Sequence, residues 1–185
     1  MLRKIVSGGQ SGVDRAALDA ALALGIACGG WCPRGRIAED GRIRRRYRLV
    51  ETPSGNYPQR TEWNVRDCDA TLIVNRGSLD GGTLFTAQLA SRYRKPVFVV
   101  QVGRGVRASQ FKAWLRRHRV RVLNVAGPRE SKRPGIYRQA RALLAALLTR
   151  ATRSGRPEAA PVPGSADKAP GTPRRRSRRR RSAAA

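Results

Sequence analysis

Short apolar runs alternate with amphipathic stretches along most of the chain. Residues 3–7 (RKIVS) predict a strand that leads into the glycine-rich turn Gly8-Gly9-Gln10-Ser11-Gly12. Residues 13–24 (VDRAALDAALAL) are rich in Ala and Leu, strong helix formers, and Gly25 follows where a C-cap glycine belongs. Residues 26–32 predict a second strand, 33–46 a charged loop and 47–51 a further short strand. Residues 57–68 predict a helix with Pro58 in its first turn. The near-continuous apolar run 70–75 (ATLIVN) and the run 97–102 (VFVVQV) have the character of strands covered on both faces. Helices are predicted from residue 81 to about 93 and over 108–118, a last strand over 120–125, and a last helix over 135–149. Strand alternating with helix predicts an α/β fold, a three-layer sandwich around a mainly parallel sheet of five to six strands.

Beyond residue 150 the pattern stops. Residues 151–185 are dominated by Ala, Pro, Gly, Ser and Arg, with Val162 the sole large aliphatic residue and no aromatic. Such a segment buries too little apolar surface to offset its chain entropy. The expected organisation is a domain over 1–150 and a disordered Arg/Ala/Pro-rich tail over 151–185. The net charge of +27 divides between them: ten basic and two acidic residues give the tail +8, and 29 basic and 10 acidic residues give the body +19. The charge is therefore not only a property of the tail.

A body of about 150 residues is one ordinary domain with enough chain for a core. The longest aliphatic run, 142–148, is far too short to span a bilayer, and MLRKIVSGGQ holds no signal-peptide core. The expectation is a cytoplasmic protein without a membrane partner. Three cysteines with no CxxC argue against a disulfide framework. Cys28 and Cys32, four residues apart on a strand, are separated by roughly 13 Å, too far to share a zinc ion, so they read as small buried thiols. The single histidine, His118, rules out multi-histidine zinc sites and argues against a Ser-His-Asp triad. It lies among arginines near a helix end and reads as a surface residue. No protein-bound metal is predicted.

The strongest local signal is strand–GGQSGVDR–helix. Glycines let the backbone approach a ligand closely, and a helix N-terminus offers unpaired N–H groups to an anion. Asp14 and Arg15 fall in the first helical turn. The match is neither GxGxxG nor a Walker A sequence. A second turn, Asp80-Gly81-Gly82-Thr83, again follows a strand and opens a helix, and two such turns after parallel strands face the same sheet edge, where α/β ligands bind. Three further features are polar. The loop WCPRGRIAEDG carries Arg34, Arg36, Glu39 and Asp40. Arg60, Asn64 and Asp67 share one helix face, which by itself reads as solvent-facing. Gly127-Pro128-Arg129-Glu130-Ser131 follows a strand, with Arg129 suited to clamp an anion.

These segments, GGQSGVDRAALD, GGWCPRGRIAEDG, TEWNVRDCDATLIV, the later GGT and AGPRESKRPGIY, closely resemble, in this order and spacing, the molybdenum-carrier-like family, a circularly permuted branch of the SLOG superfamily. The resemblance covers about residues 3–148 and implies a Rossmann-like domain with a nucleotide- or anion-type pocket at the glycine turns. Some members of that family are described as carriers of the molybdenum cofactor, a pterin with a phosphate group. Carried onto this chain, the pocket residues are Gly8, Gly9, Gln10, Ser11 and Gly12, with Arg34, Glu39, Asp40, Gly81, Gly82 and Thr83, and with Arg129 and Glu130 as weaker candidates. Asp14 and Arg15 join the ligand set from the residue reading above.

Three classes of function stay open. The first is a carrier or binding protein for a phosphorylated small molecule, with the molybdenum cofactor as the named ligand. The second is an enzyme acting on a nucleotide-derived substrate through Asp14, Glu39 or Glu62. It ranks lower because related SLOG phosphoribohydrolases place a catalytic Glu three residues after the Gly-Thr pair, and Thr86 stands there in this chain. The third is non-specific nucleic-acid contact through residues 174–181 (RRRSRRRR), which suits phosphate backbones but offers no aromatic for base stacking. Against the third, 34 Arg beside 5 Lys reads as an arginine-biased composition. Homo-oligomerisation also stays open.

Overall fold

The fold, taken from a computed structural model, is described for residues 1–152, and for side chains up to residue 149. The expected tail, and with it the run 174–181, lies outside the described residues. Six strands form one parallel sheet: β1 (Lys4–Val6), β2 (Ala27–Cys32), β5 (Leu49–Glu51), β6 (Ala70–Asn75), β7 (Val97–Gln101) and β8 (Val122–Ala126). Their order is β5-β2-β1-β8-β6-β7. Pairing is in register across the centre, with Ile5 opposite Cys28 on one side and Leu123 on the other, and Leu72 opposite Val125 and Phe98. The short strand expected at 47–51 is the β5 edge, paired to β2 over three residues.

Five helices among the described residues cover the sheet: α1 (Val13–Ala23), α2 (Tyr57–Arg66), α3 (Gly81–Arg92), α4 (Ala108–Arg117) and α5 (Ile136–Thr152). Parallel crossovers are right-handed, so connections running in opposite directions along the sheet place their helices on opposite faces. The β1–α1–β2 and β7–α4–β8 connections run one way, and α1, α4 and α5 share one core with Leu72, Val74 and Leu123. The β5–α2–β6 and β6–α3–β7 connections run the other way, and Val65 of α2 packs with Leu89 and Ala90 of α3 on the opposite face. All six residues of β6 are buried, as its unbroken apolar run predicts for a strand covered twice.

The loop expected over 33–46 is more ordered than its charge suggests. It holds a 3₁₀ turn (Arg34–Arg36) and a small antiparallel hairpin of β3 (Ile37–Ala38) and β4 (Gly41–Arg42). Ile43 and Tyr47 are plugged into a second core with Leu18 and Cys32. Arg36, buried and at φ +56°, donates to the carbonyls of Ile43, Arg44, Tyr47 and Leu49 at 2.9–3.2 Å. One guanidinium thus ties together four main-chain carbonyls between residues 43 and 49. Arg36→Met is expected to cost about 2–3 kcal/mol, the scale of lost hydrogen bonds to a charged group. Limited proteolysis should then cut within residues 37–48 well before the rest of the domain.

Candidate functional site

The chain moves outward from β1 to β2 and β5, and from β6 to β7, so the strand order reverses between β1 and β6 with β8 between them. Loops after these three strands surround a cleft of about 630 Å³ at the carboxyl edge of the sheet. The loop after β1 supplies Gln10 and Asp14. That after β6 supplies Asp80, Gly81, Gly82 and Thr83, and that after β8 supplies Gly127, Pro128, Arg129, Ser131 and Lys132. The first turn of α2 closes it with Tyr57, Pro58, Arg60 and Thr61, and Phe85 of α3 completes the lining.

Three pieces of local chemistry shape this cleft. At α3, the amides of Gly81 and Gly82 have no acceptor among the described residues, while those of Thr83 and Leu84 bond back to the Asp80 carbonyl. Among the glycines that line the cleft, Gly82 alone would carry a Cβ that meets nothing within 4 Å, whereas one on Gly81 would lie 2.9 Å from the Lys132 ammonium. At Gly12, by contrast, φ is +73° and a Cβ would lie 2.7 Å from the Glu130 nitrogen, so packing alone demands glycine. Nothing in the protein demands it at Gly82, whose missing side chain leaves backbone N–H groups open to the cleft. Second, Gln10 is 4% exposed, and its Oε1 accepts from the amides of Ser11 and Glu39, which fixes the amide group and leaves Nε2 buried without a partner. Third, Asp14 is buried and accepts from Arg60 at 3.1 Å, with 5% and 15% of the two side chains exposed. Burial pushes the Asp14 carboxyl above its ordinary range, although Arg60 and the Gln10 amide pull it down. Arg60 Nε is itself buried without a partner.

The walls are held by cross-links between loops. Arg133 donates to the Arg76 carbonyl and, with Lys132, pairs with Asp80. These cations, Lys132 foremost, hold the Asp80 carboxyl below its ordinary range. Gln101 and Asn75 fasten the backbone at Gly77 and Ser78. Thr86 is buried and donates to the Gly82 carbonyl at 2.8 Å, so the hydroxyl at that position braces the helix start.

The residues singled out from sequence do not all meet in one place. Gln10, Asp14, Gly81, Gly82, Thr83 and Arg129 line the cleft just described. Ser11, Gly12, Arg15, Glu39, Asp40 and Glu130 line a second one, of about 690 Å³, together with Asp19, Arg44, Arg46, Tyr47, Ser131 and Tyr137. A bridge separates the two: Glu39 accepts from the hydroxyls of Ser11 and Ser131 and from the Ser131 amide. Burial acts to raise the Glu39 carboxyl, but these hydrogen bonds outweigh it and hold it below its ordinary range. In the second cleft the carboxylates are engaged by the protein itself. Asp40 pairs with Arg15, Asp19 accepts from Tyr47, Tyr137 and Arg46, and Glu130 caps the amides of Gly135 and Tyr137.

Gly8, Gly9 and Arg34 line neither cleft. A Cβ on Gly8 would strike the Arg60 guanidinium and one on Gly9 the Leu49 side chain, so both glycines answer to packing. Arg34 is exposed at the 3₁₀ turn, and the inward arginine of that segment is Arg36. The polar face of α2 is the clearest correction: Asn64 is buried and bonds both the N–H and the carbonyl of Trp31, Asp67 accepts from the Trp31 indole, and Arg60 reaches Asp14. Asn64 and Arg60 thus dock on β2 and the cleft, while Asp67 keeps an exposed side chain beside Trp31. Tyr57, Lys132 and Phe85 carried no separate signal in the sequence.

With the geometry in place, comparison with known proteins decides the family. A family model for the circularly permutated YpsA SLOG family matches residues 5–148. The chain belongs to this family. A crystal structure from Syntrophus aciditrophicus, described as a "putative molybdenum carrier protein", is similar at 44% identity and a TM-score of 0.75, covering 80% of this chain and 95% of that one. No curated protein matches. In this SLOG domain the Gly81-Gly82 turn lies at the strand-order reversal and lines the cleft with amides that bond to no acceptor among the described residues. Among the described residues no group of three or more His, Cys, Asp or Glu side chains could hold a metal ion, and no helix is long and apolar enough to cross a membrane.

Proposed function

We propose that this SLOG domain binds and carries a phosphorylated small molecule, held in the cleft between the loops after β1, β6 and β8. The observation that carries this reading is Gly82: a glycine that packing does not require, opening two free amides of a helix N-terminus to a cleft that also holds the unpaired Arg129. Helix N-termini α1, α2 and α3 all start at this edge, so their partial positive charges add to that of Arg129, while Arg60 and Lys132 are balanced by Asp14 and Asp80. The buried, unpartnered Gln10 Nε2 calls for an acceptor that the protein does not supply.

The molybdenum cofactor is the cargo we favour, in keeping with the description of the Syntrophus aciditrophicus structure. The residues suit it: a phosphate at Gly81 and Gly82 beside Lys132, a pterin edge offering acceptors to Gln10 Nε2, and a cleft of about 630 Å³ for a ligand of that size. When bound, the molybdenum would be carried on the pterin. Carrying ranks above catalysis because of three candidate acids only Asp14 reaches this cleft. Glu39 is spent in the bridge and Glu62 accepts from Tyr93. Mass spectrometry of small molecules released from gently purified full-length protein should find a phosphorylated heterocycle in near-stoichiometric amount. Protein that yields none, and that gives no heat with the molybdenum cofactor or a nucleoside monophosphate in calorimetry, does not have this function.

A further inference from the structure

The cleft has a second chemical character that the phosphate reading leaves unused. Tyr57 is the first residue of α2, half-buried, and its hydroxyl has no partner among the described residues. The guanidinium carbons of Arg129 and Arg60 lie 5.1 and 5.9 Å from the centre of its ring. Arg129 is exposed and its side chain makes no hydrogen bond or ion pair among the described residues. Pro58 and Phe85 add apolar surface to the same lining. A tyrosine ring, a planar guanidinium free to move over it and neighbouring apolar surface are the parts of a stacking site for a flat heteroaromatic ring.

We infer that Tyr57 and Arg129 clamp a planar heteroaromatic ring whose phosphate sits at Gly81 and Gly82, so that the ligand class is a phosphorylated oxo-heterocycle of the pterin or purine kind. This rests on the cleft being the ligand site. The polar atoms left unpartnered and buried beside it, Gln10 Nε2 and Arg60 Nε, are both donors. The two carboxylates of the lining, Asp14 and Asp80, are already engaged, the first by Arg60 and the Gln10 amide, the second by Lys132 and Arg133. The wall therefore asks the ligand for acceptors, which carbonyl oxygens and ring nitrogens supply and which an aliphatic phosphate ester supplies only at its phosphate. The second cleft lacks this combination, since its tyrosines, Tyr47 and Tyr137, both donate their hydroxyls to Asp19.

Calorimetry on the full chain tests the inference with four probes: neopterin monophosphate, GMP, ribose 5-phosphate and inorganic phosphate. At least one ring-bearing ester is expected to bind about tenfold or more tightly than ribose 5-phosphate, the scale of one stacked ring. Tyr57→Leu should erase most of that advantage while leaving ribose 5-phosphate unchanged, Tyr57→Phe should keep it, and Arg129→Ala should reduce it. Equal affinity for ring-bearing and ringless esters, or a Tyr57→Leu variant that discriminates as the parent does, overturns the inference. If in that case Gly82→Asp still abolishes binding, the cleft assignment survives without the ring clamp. Failure of every probe to bind the parent overturns both.

Discussion

Asp14→Ala is expected to lower the stability of the domain by about 3–5 kcal/mol, the usual cost of leaving one member of a buried ion pair alone. The carboxylate and Arg60 face each other at 3.1 Å with little solvent access, and Arg60 Nε already lacks a partner. Without Asp14 the guanidinium keeps its charge and loses its counter-ion. Its nearest escape is into the cleft, where it would also disturb ligand contacts. For a domain of about 150 residues such a loss corresponds to a fall in Tm of roughly 10 °C, measurable by urea titration and thermal melting. The pair itself is not the source of the stability: burial holds the Asp14 carboxyl above its ordinary range in spite of Arg60, so desolvation exceeds what the pair returns. Asp14→Asn combined with Arg60→Met, which removes both charges and keeps the volumes, is therefore expected to be close to the parent. A single Asp14→Ala variant within about 1 kcal/mol of the parent would show that solvent reaches Arg60 freely and that the pair behaves as a surface one.

The second large effect separates folding from binding. Gly82→Asp is expected to weaken binding of the phosphorylated ligand by about 100-fold or more, since it sets a carboxylate where the anion should sit and like-charge contacts cost several kcal/mol. It should leave Tm nearly unchanged, because the new side chain meets nothing within 4 Å. Gly82→Ala is the sharper control: alanine in a first helical turn should raise stability, by up to about 1 kcal/mol, while its methyl group crowds the ligand. A gain in Tm together with a loss of binding is a signature that a merely structural glycine cannot give. Gly9→Asp does not test the same thing. Gly9 has φ +76° and packs against Leu49 and Ile43, so that substitution attacks the fold. Should Gly82→Asp bind the ligand as tightly as the parent, the phosphate does not sit at α3.

What was legible in advance follows from the range of each signal. Strands β6 and β7 announce themselves because near-continuous apolar runs of this length have few other uses in an α/β chain, and β1, β2 and β8, shorter or broken by glycine or Asn, are read from the turns and helices around them. The glycine turns after β1 and β6 were readable too, and so was their facing a common edge, since parallel strands end on one side. Which glycine packing demands was not readable. Gly12 and Gly82 look alike in sequence, and only the chain 116 to 118 residues further on, at Pro128 to Glu130, fills the space beside Gly12. Arg34 and Arg36 differ by two positions in one charged loop, and the positive φ that turns Arg36 inward is a property of the folded hairpin.

The α2 face shows the same limit. Periodicity places Arg60, Asn64 and Asp67 on one side of a helix, but it does not say what lies opposite. Here it is Trp31 and Asp14, brought there by the crossover from β5 to β6. The family, the α/β layering and the sheet edge to which both glycine turns open could thus be read from the chain alone, because these depend on local periodicity and on motifs within single loops. Only the tertiary structure decided that the predicted pocket is two clefts parted by the Ser11–Glu39–Ser131 bridge, and that Tyr57 and Lys132 belong to one of them. Those outcomes depend on which residues distant in the chain share a surface, and spacing along one loop carries no record of that.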